Sequence, residues 1–79
     1  MIIYVISEFD RATEELLSEV RLRSPDGAEL ARLFGEPLDT FVNSYPVGAK
    51  EAEALGARYG LEFDLATSAY FLDPYSEGA

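Results

Sequence analysis

The stretch Ile2-Ile3-Tyr4-Val5-Ile6-Ser7-Glu8-Phe9-Asp10-Arg11-Ala12-Thr13-Glu14-Glu15-Leu16-Leu17-Ser18-Glu19-Val20-Arg21-Leu22-Arg23 decides the fold class. Residues 2–9 are β-branched and aromatic enough to favour an extended strand. The polar run 10–13 then suits a tight connection. Over 14–23 the chain alternates, with Leu16, Ser18, Val20 and Leu22 on one face and Glu15, Leu17, Glu19, Arg21 and Arg23 on the other. These two runs read as an antiparallel hairpin. A helix over 14–23 is the competing reading, because Leu16, Val20 and Arg23 also fall at helical spacing.

Beyond the hairpin, Ser24-Pro25-Asp26-Gly27 breaks the pattern and opens a helix over 26–34. Asp26 with Glu29 three residues on has capping-box spacing, and Ser24 before Pro25 is an equally good start. Gly35 and Pro37 stop this helix. Residues 42–47 are strand-like, with Pro46 confining any pairing to an edge. An amphipathic helix over 49–59 follows and ends at Gly60, with Gly56 as a weak point. Leu61, Phe63 and Leu65 alternate with Glu62 and Asp64, which predicts a half-buried strand over 61–65. A turn at 66–68 leads to a last strand over 69–73 that Pro74 ends, and 76–79 reads as a frayed tail. The expectation is an α+β fold in one domain spanning 1–79: a small antiparallel sheet of about four strands with two helices. Its core would hold the Ile and Val residues of the first strand, the even-numbered face of 14–22, Leu30, Leu33, Phe34, Leu55, Tyr59, Phe63, Leu65 and Phe71.

Composition narrows the function. Fifteen Asp and Glu against six Lys and Arg leave a net charge of −9 in 79 residues. Direct binding to nucleic acid requires cationic groups that displace counterions, so it is not expected. The chain contains no Cys and no His. That removes thiolate chemistry, zinc-finger ligation and the commonest general base. The remaining carboxylates have no apolar wall beside them to raise a pKa for acid–base work, and no loop has calcium-binding spacing. Neither catalysis nor a cofactor or metal is expected. The first apolar run covers six residues and no basic residue precedes it. It is too short for a secretory leader or a membrane span, so a cytoplasmic location and no membrane contact are expected.

Acidity with tyrosines suits a basic protein partner, the charges steering the encounter and the rings supplying buried anchor area. Glu15 and Glu19 would project from one face, about 14 Å apart along a strand, with Glu8 and Asp10 near one end of the hairpin. Residues 59–79 add Glu62, Asp64, Asp73 and Glu77 with no Lys or Arg. Tyr4, Tyr45, Tyr70 and Tyr75 can interleave with these acids. Solubility alone is the alternative reason for such a surface.

Phe9-Asp10-Arg11-Ala12-Thr13-Glu14-Glu15 after a strand resembles the strand–turn opening of the colicin and cloacin immunity proteins, which neutralise ribosome-cleaving nuclease toxins. The later order is similar too: Leu33-Phe34-Gly35-Glu36-Pro37, Asn43-Ser44-Tyr45-Pro46-Val47, an amphipathic stretch, and Leu61-Glu62-Phe63-Asp64-Leu65 followed by Ala69-Tyr70-Phe71-Leu72. The resemblance runs over nearly the whole chain. It implies a four-stranded antiparallel sheet, no catalysis, and tight binding to a basic nuclease domain. It also places partner choice around Ser44 and Tyr45. The expected partner-binding residues are therefore Glu8, Asp10, Glu15, Glu19, Ser44, Tyr45, Glu62, Asp64, Tyr70 and Asp73, in a monomer or weak dimer. An immunity protein of a polymorphic or contact-dependent toxin system fits the same pattern. An acidic nucleic-acid mimic or regulatory adaptor that binds a host basic protein is the alternative, and an accessory domain without a dedicated partner is a second.

Overall fold

The first strand, β1 (Ile2–Asp10), runs through the middle of the sheet and is paired along both edges in a computed structural model that describes residues 2–76. On one side lies β2 (Leu16–Arg21) and on the other β4 (Ser68–Ser76); β3 (Tyr45–Pro46) adds a two-residue outer edge. The order is β2-β1-β4-β3 and every pairing is antiparallel. The helices are α1 (Gly27–Leu33) and α2 (Ala49–Tyr59), and a single 3-10 turn covers Leu38–Thr40. The fold is α+β, as the alternation and the turn residues predict. Residues 77–79 of the expected tail lie outside the described residues.

Local chemistry fixes the ends of the elements. The Asp10 carboxylate accepts from the Ala12 and Thr13 N–H groups at 2.8 and 3.0 Å, which closes the turn of the β1–β2 hairpin. Glu14 takes a left-handed φ of 63° there and donates its N–H to the Asp10 carbonyl. Of the two possible starts for α1, Asp26 is the cap: its carboxylate accepts from the Ala28 and Glu29 N–H groups. Glu29 makes an exposed ion pair with Arg58 of α2. In α2 the Glu51 carboxylate reaches back to the Gly48 N–H, and Gly60 closes the helix in the left-handed conformation.

Three expectations need correction. Residues 61–65 form no strand. Their burial does alternate, with Leu61, Phe63 and Leu65 half-buried and Glu62 and Asp64 exposed, but their backbone joins no ladder. Both sides of β1 and the outer side of β4 are already occupied, so this segment instead covers the helix side of the sheet. There the Phe63 ring meets Tyr70 edge-on at 4.8 Å, and the Asp64 N–H donates to the Tyr70 hydroxyl. Alternation reports one wet and one dry face; it does not report pairing.

The last strand begins at Ser68 and continues through Pro74 to Ser76. Tyr4, opposite Pro74, gives its carbonyl to the Leu22 N–H on the other side of β1. The Tyr4–Pro74 pair is thus one that exchanges no hydrogen bond, and the missing proline N–H costs the ladder nothing. The third correction concerns the second strand, expected over 14–23, which narrows to 16–21. Its register shifts against β1: Glu8 faces Ser18, whereas Phe9 faces Leu16, so Leu16 and Leu17 together oppose one residue. This bulge reverses the alternation on its far side.

The core joins Tyr4, Ile6, Leu22, Tyr70 and Leu72 of the sheet to Leu30, Ala31, Ala52 and Leu55 of the helices, with Phe41, Tyr45 and Val47 between them. Leu16 and Val20, expected inside, are 50% and 41% exposed: the bulge turns Leu16 to the face away from the helices, and Val20 lies on the edge strand. Phe71, also expected inside, points to the other face.

Gly56 has a role that propensity does not anticipate. A Cβ there would lie 2.9 Å from the Leu61 carbonyl oxygen, where the covering segment crosses α2. Gly56→Ala is expected to lower stability by about 1–2 kcal/mol through this backbone clash, although in an open helix it would add nearly 1 kcal/mol. Thermal unfolding of the variant decides between the two signs; a raised Tm would mean that Leu61 does not approach the helix this closely.

Candidate functional site

Register divides the sheet into two unlike faces. Directly opposed residues share a face, so Tyr4, Ile6, Tyr70 and Leu72 lie under the helices. Ile3, Val5, Ser7 and Phe9 of β1 lie on the open side, beside Tyr75, Asp73, Phe71 and Ala69 of β4 and Arg21 and Glu19 of β2. Among the described residues no helix covers this second face. It is nevertheless apolar along its length: Phe9 and Phe71 meet edge-to-face at 5.8 Å, Ile3 and Val5 are only half-buried, and Tyr75 is 47% exposed. The bulge adds Leu16 beside Phe9, 50% exposed. At the centre the buried Ser7 hydroxyl donates to the Asp73 carboxylate at 2.7 Å, which fixes that acid on the face. This face is apolar, half-open to solvent and bordered by the charged side chains of Glu19, Arg21 and Asp73.

The predicted binding residues do not assemble in one place. Glu19 and Asp73 stand on the open face. Glu15 does not join them: it lies beyond the bulge and outside β2, with its carbonyl taken by the Asp10 N–H. The expected pairing of Glu15 with Glu19 on one face is corrected accordingly. Glu8 faces the helix side, where its carboxylate accepts from the hydroxyls of Ser68 at 2.7 Å, Ser18 at 3.0 Å and Tyr70 at 3.1 Å. The Ser68 bond first, then those from Ser18 and Tyr70, hold its carboxyl below the ordinary glutamate value, against opposing effects of burial and of Asp64. Tyr70 is 7% exposed, so it is a structural partner of Glu8 and no surface anchor.

Asp10 is engaged in the hairpin turn, and the N–H groups of Thr13 and Ala12 hold its carboxyl low. The Thr67 hydroxyl does the same for Asp64, which with Glu62 sits on the covering segment. Ser44 is exposed in the loop before β3. Tyr45 is not: its ring stacks on Phe41 at 4.7 Å, and its hydroxyl donates to the Thr40 carbonyl and accepts from the Asn43 N–H. Its expected role as an anchor for a partner is thereby replaced by one in the core.

Most of the fixed acids thus support the fold, and beside Tyr75 what the open face offers is largely what the sequence reading missed: Phe9, Phe71, Ile3 and Val5. One signal pointed to them. Residues 69–73 are apolar on both faces, and a strand with helices on one side only must leave the other apolar face bare. Among the described residues no cluster of His, Cys, Asp or Glu is placed to hold a metal ion, and no helix is long and apolar enough to cross a membrane.

Comparison with known families gives membership without a role. The chain belongs to the family described as a domain of unknown function, DUF7683, which matches residues 3–73. No curated protein matches the chain.

Proposed function

We propose that this protein is a binding module without catalytic chemistry of its own, an immunity protein that neutralises a basic bacterial toxin domain of the nuclease type. The open sheet face supports this reading: an apolar strip from Ile3 and Tyr75 to Phe9 and Phe71, uncovered, with Asp73 held by Ser7 and Glu19 exposed beside it. A nuclease domain carries a cationic surface for phosphate, and a molecule of net charge −9 is steered to it. Once the two have met, the aromatic strip supplies the area that slows dissociation. Occlusion follows from size alone, because a sheet face laid over the toxin's phosphate-binding surface excludes the nucleic acid. In this reading the protein works in the cytoplasm, where the toxin's substrate is.

The test is co-expression with the protein encoded immediately upstream, scored by cell survival and by binding kinetics of the purified pair. Glu19→Lys on the open face is expected to slow association about tenfold at low salt, and Tyr75→Ala to speed dissociation. Glu53→Lys, with the same charge change on α2, should leave both rates near those of the parent. Equal losses from the two lysine variants would remove the open face from the interface. A partner that proves to be a host basic protein, with no effect on survival, would turn the reading to the regulatory adaptor.

A further inference from the structure

The sheet ends on two unlike edges. At one, β3 is two residues long and its Pro46 has no N–H to offer an added strand. At the other lies β2, and among the described residues no strand pairs with its outer side. Past the bulge at Leu16 and Leu17, the segment Ser18-Glu19-Val20-Arg21 is regular and carries neither the Pro nor the Lys that commonly blunts an edge. Its hydrogen-bond phase follows from one bond. The Leu22 N–H donates to the Tyr4 carbonyl, and bonded pairs alternate along an antiparallel ladder. Val20, opposite Ile6, and Ser18, opposite Glu8, therefore turn their main-chain groups to β1, whereas Glu19 and Arg21 turn theirs outward. Glu19, Val20 and Arg21 are all exposed, Val20 on the helix side and the two charges on the open face.

We infer that this edge pairs antiparallel with the same edge of a second copy, Val20 facing Val20 at a twofold axis and Glu19 of each copy facing Arg21 of the other. In this register Glu19 and Arg21 form bonded pairs across the axis, each exchanging both N–H···O bonds. Each such pair also sets opposite charges side by side on the open face, a stabilising cross-strand combination. Sliding the copies by one pair either way would bring Glu19 against Glu19 or Arg21 against Arg21 at the axis, so charge holds the register. Val20, 41% exposed in the single chain, meets its own copy on the other face at the closer, non-bonded spacing. Arg21 is already engaged within its own chain; a guanidinium has five donors, and the second copy's carboxylate adds to that contact. The charge of −9 on each copy opposes association, but at an ionic strength of about 0.15 M charges farther apart than about 8 Å are largely screened, and facing pairs stand closer than that. The two four-stranded sheets join into one. A twofold axis normal to the sheet leaves both open faces on the same side, uncovered, so the pairing is independent of what that face binds.

Sedimentation velocity of the full chain at about 0.15 M salt tests this. A ladder this short makes a small interface, so a weak dimer is expected, with a Kd of about 10 μM to 1 mM. Two charge variants give the decisive comparison. In Glu19→Lys a lysine faces Arg21, and in Arg21→Glu a glutamate faces Glu19, so each alone should dimerise about tenfold more weakly or worse. Mixed in equal amounts, the two should form a heterodimer about as tight as the parent dimer, because every facing pair is then of opposite sign. That recovery also shows that both variants fold. If either does not, hydrogen exchange at the Glu19 amide of the parent chain decides: protection that rises with protein concentration is expected, and exchange independent of concentration refutes the pairing. A parent chain that stays monomeric at about 1 mM, single variants that dimerise as well as the parent, or an edge that pairs only with a strand of a different protein would overturn the inference. A monomer that still protects the cell leaves the immunity reading standing.

Discussion

Leu72→Ala is expected to lower the stability of this protein by about 3 kcal/mol or more, the cost of a cavity where a fully buried leucine stood. Leu72 has no exposed surface at all. It pairs with Ile6 on one side and Tyr45 on the other, so its side chain sits where the two inner strands and the short edge strand meet beneath the helices. A chain of this length has a total stability of about 4–12 kcal/mol, and losing a quarter or more of it should move a urea midpoint far to lower concentration. The neighbouring variant Phe71→Ala provides the contrast. Its side chain leaves the opposite face and is only half-buried, so about 1 kcal/mol is expected from the lost ring contact with Phe9. Equal costs at 71 and 72 would mean that the faces of β4 are assigned wrongly. That would undermine the open face as well as the core.

The second large effect belongs to Glu8. Glu8→Ala strips the hydroxyls of the buried Ser68 and Tyr70 of their shared acceptor, and about 2–3 kcal/mol is the expected cost of leaving such groups unsatisfied. The same carboxylate gives the protein an acid-sensitive component. The Ser68, Ser18 and Tyr70 hydroxyls favour its charged form in the folded state, so it releases its proton at lower pH there than in the unfolded chain. Its contribution is therefore complete above the unfolded glutamate value of about 4.3 and is lost as pH falls through the lower folded value. Glu8→Gln, which cannot titrate, should flatten the acid limb of the stability curve as pH falls below the unfolded glutamate value. Asp10 and Asp64, also held low by hydrogen bonds, keep part of the slope. An unchanged limb in Glu8→Gln would show that the hydroxyl cluster does not favour the ionised carboxylate.

Much of the fold was legible because its signals are local. The β1–β2 hairpin, the Gly60 stop and both helices follow from residue type and spacing over a few positions, whereas the choice of Asp26 over Ser24 as cap came from the structure. The errors have one cause in common. The alternation of 61–65, the end of β4 at Pro74 and the shared face of Glu15 and Glu19 each assumed a pairing partner or a register, and neither is written in a strand's own sequence. The candidate site suffered most. Acids conspicuous in the composition are engaged by the fold itself: Glu8 by three hydroxyls, Asp10 by a turn, Asp64 by Thr67. The side chains left on the open face looked like core residues, because an apolar strand position has the same letter whether a helix covers it or not.

Residue order by itself thus determined the class of the fold, the two helices, the central hairpin and an acidity that turns the molecule away from phosphate and toward cations. Only the tertiary structure decided which apolar face stays bare, which carboxylates are free and which sheet edge stays open. The reason is geometric. Side-chain period and turn chemistry act within one segment, whereas register, a one-residue bulge and the side of the sheet chosen by the helices are fixed between segments far apart in the chain.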